Sequence, residues 1–122
     1  MNIFLWVLQI LLGLAFLAVG YNHGFNIEKA RTQYQWMTAV PNSLLVFIGV
    51  SEILGGIGLM LPAATGILAE LTAWAATGLS VIMVLAALFH VTRREYQSIV
   101  VNLVLLALAA FVAYGRFVLV PF

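Results

Sequence analysis

The chain contains no cysteine and no aspartate, and it has few charged residues of either sign. Without cysteine it has no disulfide, no thiolate metal site, no c-type haem attachment and no cysteine nucleophile. It holds 5 Lys and Arg residues against 4 acidic residues, which gives a formal net charge of +1. Such a balance provides no basic surface for a nucleic acid. These absences exclude thiol chemistry by the chain itself and argue against nucleic-acid binding.

Apolar residues dominate the composition. Of the 122 residues 65% are hydrophobic and only 7% are charged, whereas soluble domains carry roughly 25% charged residues. A small domain leaves a large share of its surface in water, so a water-soluble fold of this length could not hide so many apolar side chains. We therefore expect the lipid bilayer to surround the chain. The first apolar run lacks a basic leading region and is long for a signal peptide, which favours a retained span.

Four segments are long and apolar enough to cross a bilayer, which requires about 20 such residues. They are residues 3–20, 43–61, 67–89 and 95–114. Each backbone polar group must be satisfied within its own segment in lipid, so these segments are predicted to be helices. The predicted fold is an all-α membrane protein with a four-transmembrane-helix bundle, formed as one domain over residues 1–122.

Local signals predict how the helices are joined. Pro62 is predicted to end the second helix, and residues 63–66 to form a tight turn that makes helices two and three antiparallel neighbours. Thr92 and Glu95 match a capping box, which predicts that the fourth helix starts near Arg93. Residues 21–40 form the one long connection, and their polar and aromatic content suits an interfacial helix or a cap over the bundle mouth.

The basic residues predict the orientation. Lys29, Arg31, Arg93 and Arg94 fall in two loops on one side, and Arg116 alone falls on the other. The positive-inside rule places the two basic loops in the cytoplasm and both termini outside. Arg116 is interpreted as a residue that lies among lipid headgroups.

Glu52 is the one carboxylate in the middle of a predicted span. It lies about 15 Å along the second helix, where an acidic residue costs about 2.5 to 3.5 kcal/mol to insert. Its helical neighbours include Gly49, Gly55 and Gly56. Small residues allow helices to approach closely, so this face is expected to point into the bundle. Ionisable groups in a membrane are functional hypotheses by default, and the alternative is a protonated Glu52 that only packs.

Three further polar residues are predicted to converge with Glu52 in the cytoplasmic half of the bundle. Asn102 lies at a similar depth in the fourth helix, so a Glu52–Asn102 hydrogen bond is geometrically reasonable. The alternative role of Asn102 is to hold two helices together. His90 ends the third helix and is equally compatible with solvation near the headgroups. For His23, at the end of the first helix, a structural role is favoured. The candidate site therefore has Glu52 and His90 for proton transfer, and Glu52, His90, Asn102 and His23 for ligand binding, with no metal site.

Four stretches of the sequence resemble the DoxX-like family of small four-helix bacterial membrane proteins. They are FLAVGYNHGF, GVSEILGGIGLMLPAATGI, LAALFHVTRREY and IVVNLVLLALAAFVAYGR. Glu52, Pro62, His90 and Asn102 match family positions. The resemblance implies that the protein lies in the cell (inner) membrane of a bacterium. Members of the family also resemble the small membrane subunit of an archaeal thiosulfate:quinone oxidoreductase. Other members are linked to quinone or thiol redox stress. Many relatives carry Lys near the end of helix one. In this chain, His23 either replaces that Lys or indicates that the site is altered.

The sequence leaves several functions open. The first is a membrane subunit of a quinone-linked oxidoreductase, in which Glu52 or His90 exchanges protons with the quinone. The chain has no redox-cofactor motif, so electrons would come from a redox partner subunit or a directly bound donor. The second is a non-catalytic bundle that binds a lipid or small hydrophobic ligand, or an assembly subunit, with a homo-oligomer compatible with its glycine-rich faces. Haem b between His23 and His90 is disfavoured, and a transporter more so.

Overall fold

A computed structural model describes the backbone of residues 1–122 and every side chain except that of Gln33. Five α-helices account for most of the chain. In chain order they are α1 (Asn2–Phe25), α2 (Ile27–Gln33), α3 (Asn42–Thr65), α4 (Leu71–Thr92) and α5 (Tyr96–Tyr114). A 3-10 helix over Gln35–Ala39 follows α2, and α5 continues into a π-helical turn over Gly115–Leu119.

The four long helices are α1, α3, α4 and α5. Each is at least 22 residues long when α5 is taken with its π-helical turn, and their mean hydropathy lies between 2.0 and 2.5. An α-helix rises 1.5 Å per residue, so each is long enough to cross a hydrocarbon layer of about 30 Å. The predicted all-α fold with a four-helix membrane bundle is confirmed.

The second predicted helix does not end at Pro62. α3 includes Pro62 and ends at Thr65. The next residue, Gly66, has a left-handed φ of 73°, and its N–H donates to the Pro62 carbonyl at 3.0 Å. Proline removes only its own N–H and crowds the carbonyl four residues earlier, so the residues after it can complete a last turn. Glycine closes the helix because it adopts positive φ without steric cost. Residues 67–70 then form turns, so α4 begins at Leu71 rather than at residue 67.

The predicted capping box is also wrong. Thr92 is the last residue of α4, and its hydroxyl donates to the Phe89 carbonyl at 2.6 Å instead of capping the next helix. α5 begins at Tyr96 with Glu95 in the N-cap position. Arg94 has a φ of 56°, so the turn reverses within three residues, from Arg93 to Glu95. A hydroxyl at a helix end can bond back to the preceding turn, which makes this local pattern ambiguous.

The connection between α1 and α3 folds against the end of the bundle. Met37 of the 3-10 helix is fully buried in a small core with Ala30, Val40 and Leu45. Arg31 fastens the segment by donating from Nε to the Met37 carbonyl and from Nη2 to the Val40 carbonyl, at 3.3 and 3.0 Å. This geometry agrees with the prediction of a cap over one mouth of the bundle.

Candidate functional site

His23 and Glu52 form a close pair between α1 and α3. The Nδ1 atom of His23 lies 2.7 Å from Oε1 of Glu52. The Glu52 side chain is 1% exposed and that of His23 is 14% exposed. A buried carboxylate is costly unless a partner compensates it, and the imidazole supplies that partner here. His23, for which the sequence favoured a structural role, is therefore the direct partner of the central Glu52.

Glycine-to-glycine packing makes this pair possible. A Cβ atom built on Gly49 would lie 2.5 Å from the Gly20 carbonyl oxygen and 2.6 Å from the Gly24 Cα. Such close backbones require residues without side chains at the crossing. His23 lies one turn after Gly20, and Glu52 lies one turn after Gly49, so both side chains start from the tightest part of the α1–α3 contact. As the sequence predicted, the Glu52 face of α3 points into the bundle.

A second carboxylate–imidazole pair forms where α4 turns into α5. The Nδ1 atom of His90 lies 2.9 Å from Oε1 of Glu95, and the same oxygen accepts a hydrogen bond from Nε of Arg93 at 3.0 Å. The His90 side chain is 5% exposed, whereas that of Glu95 is 22% exposed. The Glu95 amide also donates to the His90 carbonyl at 3.0 Å, which holds the two residues close together. Sequence reasoning missed Glu95 as a partner because it assigned this residue to a capping box.

Trp36 connects the two imidazoles. Its ring contacts His23 and His90 edge to face, with centroid separations of 5.2 and 5.3 Å, and it also contacts Phe89. Aromatic rings in this arrangement attract one another beyond their buried area. The 3-10 helix therefore places an aromatic cover over both pairs. The aromatic content of the long connection indicated such a cover. No local feature of the sequence indicated that Trp36 would be the ring that faces inward.

All four predicted site residues line one cavity of about 660 Å³ at this end of the bundle. Its walls come from α1, α3, α4, α5 and the 3-10 helix, and most of the lining is apolar. Asn102 contributes from α5, and its Nδ2 atom is buried without a hydrogen-bond partner among the described residues. The expected Glu52–Asn102 hydrogen bond is not found among the described residues, because Glu52 bonds to His23 instead. A buried amide without a partner is uncommon, and a ligand can supply one.

The two pairs share one chemical property. Each imidazole bonds to its carboxylate through Nδ1, and among the described residues neither Nε2 atom has a hydrogen-bond partner. When the carboxylate is ionised and accepts from Nδ1–H, Nε2 is an acceptor. When the pair holds one more proton, Nε2–H is a donor. Each pair can therefore both accept and donate a proton through the Nε2 atom of a histidine that lines the cavity. No cluster of three or more metal-ligating side chains is found among the described residues.

Comparison with protein families identifies the chain. The model of the DoxX-like family matches residues 7–112, which is most of the sequence. The chain belongs to the DoxX-like family. Together with the four long apolar helices, this membership makes the DoxX-like chain an integral membrane protein. No curated protein and no solved structure matches it.

The opposite end of this DoxX-like bundle contains a buried arginine. Arg116, which the sequence placed among lipid headgroups, is only 3% exposed. It donates from Nε to Oε1 of Gln9 at 2.6 Å and from Nη1 to Oδ1 of Asn2 at 2.8 Å, and Gln9 in turn donates to the Leu59 carbonyl. Its guanidinium also lies 4.0 Å from the centre of the Phe122 ring. Arg116 therefore joins α1 to the end of α5, and it lies outside the candidate site.

Proposed function

We propose that the cavity binds a quinone and that the protein is the membrane subunit of a quinone-linked oxidoreductase. The observation that carries the proposal is the cavity of about 660 Å³, in which His23, Glu52, His90 and Asn102 interrupt a mostly apolar wall. Small-molecule sites commonly measure about 300 to 1,000 Å³ and combine apolar walls with a few convergent polar groups. A quinone ring with part of its isoprenoid tail has this combination of shape and polarity.

The alternation of donors and acceptors favours a quinone over a simple lipid. A quinone oxygen is an acceptor, and the corresponding quinol hydroxyl is a donor. The His23–Glu52 and His90–Glu95 pairs can each present either a donor or an acceptor through Nε2, according to the number of protons they hold. An acyl chain would use neither a donor nor an acceptor from these pairs.

Each residue has a role in this proposal. The buried Nδ2 of Asn102 donates to one oxygen of the ligand, and the two carboxylate–imidazole pairs exchange protons with the oxygens. The Trp36 and Phe89 rings provide flat apolar surfaces for the quinone ring. Reduction converts both carbonyl groups to hydroxyl groups with two electrons and two protons. The electrons come from a redox partner subunit, and the protein groups exchange only protons.

The proposal includes a location. We place the protein in the cell (inner) membrane of a bacterium, with both termini outside and the basic loops in the cytoplasm. The support is the charge distribution: Lys29, Arg31, Arg93 and Arg94 lie at the cavity end of the bundle, and positive loops remain cytoplasmic. The cavity then opens near the cytoplasmic face.

A second candidate function is non-catalytic binding of a lipid or another small hydrophobic molecule, with the protein as an assembly subunit or homo-oligomer. The apolar majority of the cavity lining favours it. Haem between His23 and His90 has weaker support, because the Trp36 ring already packs against both imidazoles.

Mass spectrometry of an organic extract tests the proposal. The protein is purified in mild detergent beside Glu52→Leu and a matched control, Glu70→Leu, which removes an exposed carboxylate at the opposite end of the bundle. We expect a stoichiometric quinone in the parent protein and the control, and its loss from Glu52→Leu.

Two other results would redirect the proposal. An extract that contains only bulk phospholipid in all three samples would favour the non-catalytic function. A Soret band in the absorption spectrum of the parent protein would favour haem.

A further inference from the structure

The two carboxylate–imidazole pairs differ in their access to water. Glu52 is 1% exposed and lies about 15 Å along α3 from its start, so its carboxylate contacts only the protein interior and the cavity. Glu95 is 22% exposed and precedes the first residue of α5, at the end of the bundle. The carboxylate of the first pair is therefore enclosed, whereas the carboxylate of the second pair reaches the surface.

A continuous series of polar atoms runs from the cavity to the surface through the second pair. His90 lines the cavity, its Nδ1 lies 2.9 Å from Glu95, and Glu95 bonds to Arg93, whose side chain is 34% exposed. Neighbouring groups at hydrogen-bond distance are the geometry that proton transfer requires. The turn maintains this geometry, because the Glu95 amide donates to the His90 carbonyl.

We propose that His90 and Glu95 form the route by which protons pass between the cavity and the water at this face of the membrane. The inference rests on the proposed function, because it takes the cavity ligand to be one that exchanges protons. In the outward direction the ligand O–H bond breaks and an Nε2–H bond forms on His90. The Nδ1–H bond then breaks as Glu95 takes that proton, and Glu95 releases it to water. Uptake follows the same steps in reverse.

Titratable and charged groups face His90 from every element packed around it. Across the cavity it is faced by Tyr34 from the connection, His23 from α1 and Glu52 from α3. From the turn it is faced by Glu95, which also lines the cavity and is 22% exposed, and Arg93 bonds to Glu95. Arg93 donates from Nε to the same Glu95 oxygen that lies 2.9 Å from His90, which keeps this carboxylate within reach of the imidazole. The enclosed Glu52 carboxylate has His23 as its hydrogen-bond partner and the cavity beside it, so it regains protons through His23 or the cavity ligand.

The test uses 2-hydroxy-1,4-naphthoquinone, whose anion is coloured and whose protonation state is therefore visible. The full chain is purified in detergent, saturated with this probe and subjected to a rapid pH jump, with empty micelles as the baseline. The rate of the colour change reports proton access to the bound probe. The variant is Glu95→Gln, and the matched control is Glu70→Gln, which changes an exposed carboxylate far from the cavity.

We expect Glu95→Gln, when saturated with the probe, to slow its protonation by about 10²-fold, the scale of a lost acid–base group. Glu70→Gln should match the parent protein, and Glu95→Asp should restore most of the rate. A merely structural role for Glu95 would change the affinity or the melting temperature instead of this rate.

Two results would overturn the inference, and they are distinguishable. Failure of the parent protein to bind the probe would remove the proposed quinone site and the proton route with it. Tight binding with the same protonation rate in Glu95→Gln would keep the quinone site and reject the route through Glu95.

Discussion

At the scale of single residues, the central fact is that Glu52 remains in an apolar interior because His23 reaches it. A buried polar group that loses its partner costs about 1 to 3 kcal/mol, and more when it is charged. The contact between His23 and Glu52 therefore also stabilises the protein. Substitutions of these two residues should not have additive effects on the free energy of unfolding.

We predict that His23→Leu destabilises the protein by at least about 1 to 3 kcal/mol, because it leaves the Glu52 carboxyl group buried without its partner. The double variant His23→Leu/Glu52→Leu should be more stable than His23→Leu alone, because removal of both partners removes the unsatisfied group. Unfolding in mixed micelles measures the free energies in a double-mutant cycle. Additive losses would show that the 2.7 Å contact does not couple the two residues energetically.

At the scale of helices, the position of the site depends on how closely α1 and α3 pack. Gly20, Gly24 and Gly49 bring the two backbones into direct contact. The glycine-rich face of α3 is therefore a packing surface that also sets the reach between His23 and Glu52. By contrast, Gly78 of α4 is exposed, and a Cβ atom on it would meet nothing within 4 Å.

These two environments predict opposite effects of the same substitution. Gly49→Ala should destabilise the bundle and lower ligand occupancy, because its Cβ would meet the α1 backbone at 2.5 to 2.6 Å. Gly78→Ala should be neutral or stabilising by about 0.5 to 1 kcal/mol, as expected for alanine in a helix interior. Thermal melting and ligand extraction of both variants test this contrast. Equal effects of the two substitutions would argue against the close α1–α3 contact.

At the scale of the whole molecule, the cavity and the basic residues lie at the same end of the bundle. Four of the five basic residues, Lys29, Arg31, Arg93 and Arg94, are at that end, and Arg116 is at the other. The orientation in the membrane therefore decides which compartment the cavity end of the bundle faces.

We predict that the cavity end faces the cytoplasm. The natural absence of cysteine permits a direct measurement, because each introduced cysteine is the only thiol. Thr65→Cys, at the end of α3, should react with a membrane-impermeant maleimide in intact bacterial cells. Thr32→Cys, in α2, should react only after the membrane is opened. Both threonines are exposed, and the reverse labelling pattern would place the cavity outside.

Helix ends show the limits of local signals. The hydropathy of the sequence shows where a run of apolar side chains ends. The helix itself can be longer, because it continues as long as its backbone hydrogen bonds form. α1 therefore extends beyond residue 20 to Phe25, and this extension places His23 on a helical face instead of in a loop. In α3, the residues after Pro62 likewise complete a last turn.

The sequence by itself determined the four apolar helices, the inward glycine face of α3 and the polar residues in the interior. Those properties are local, since the thickness of the bilayer sets helix length and helical periodicity sets the face. Only the tertiary structure decided the partners: His23 for Glu52, Glu95 for His90, and Trp36 over both imidazoles. Partner choice depends on the distance between helices and on the path of the connecting turns, and these follow from backbone packing across the whole bundle.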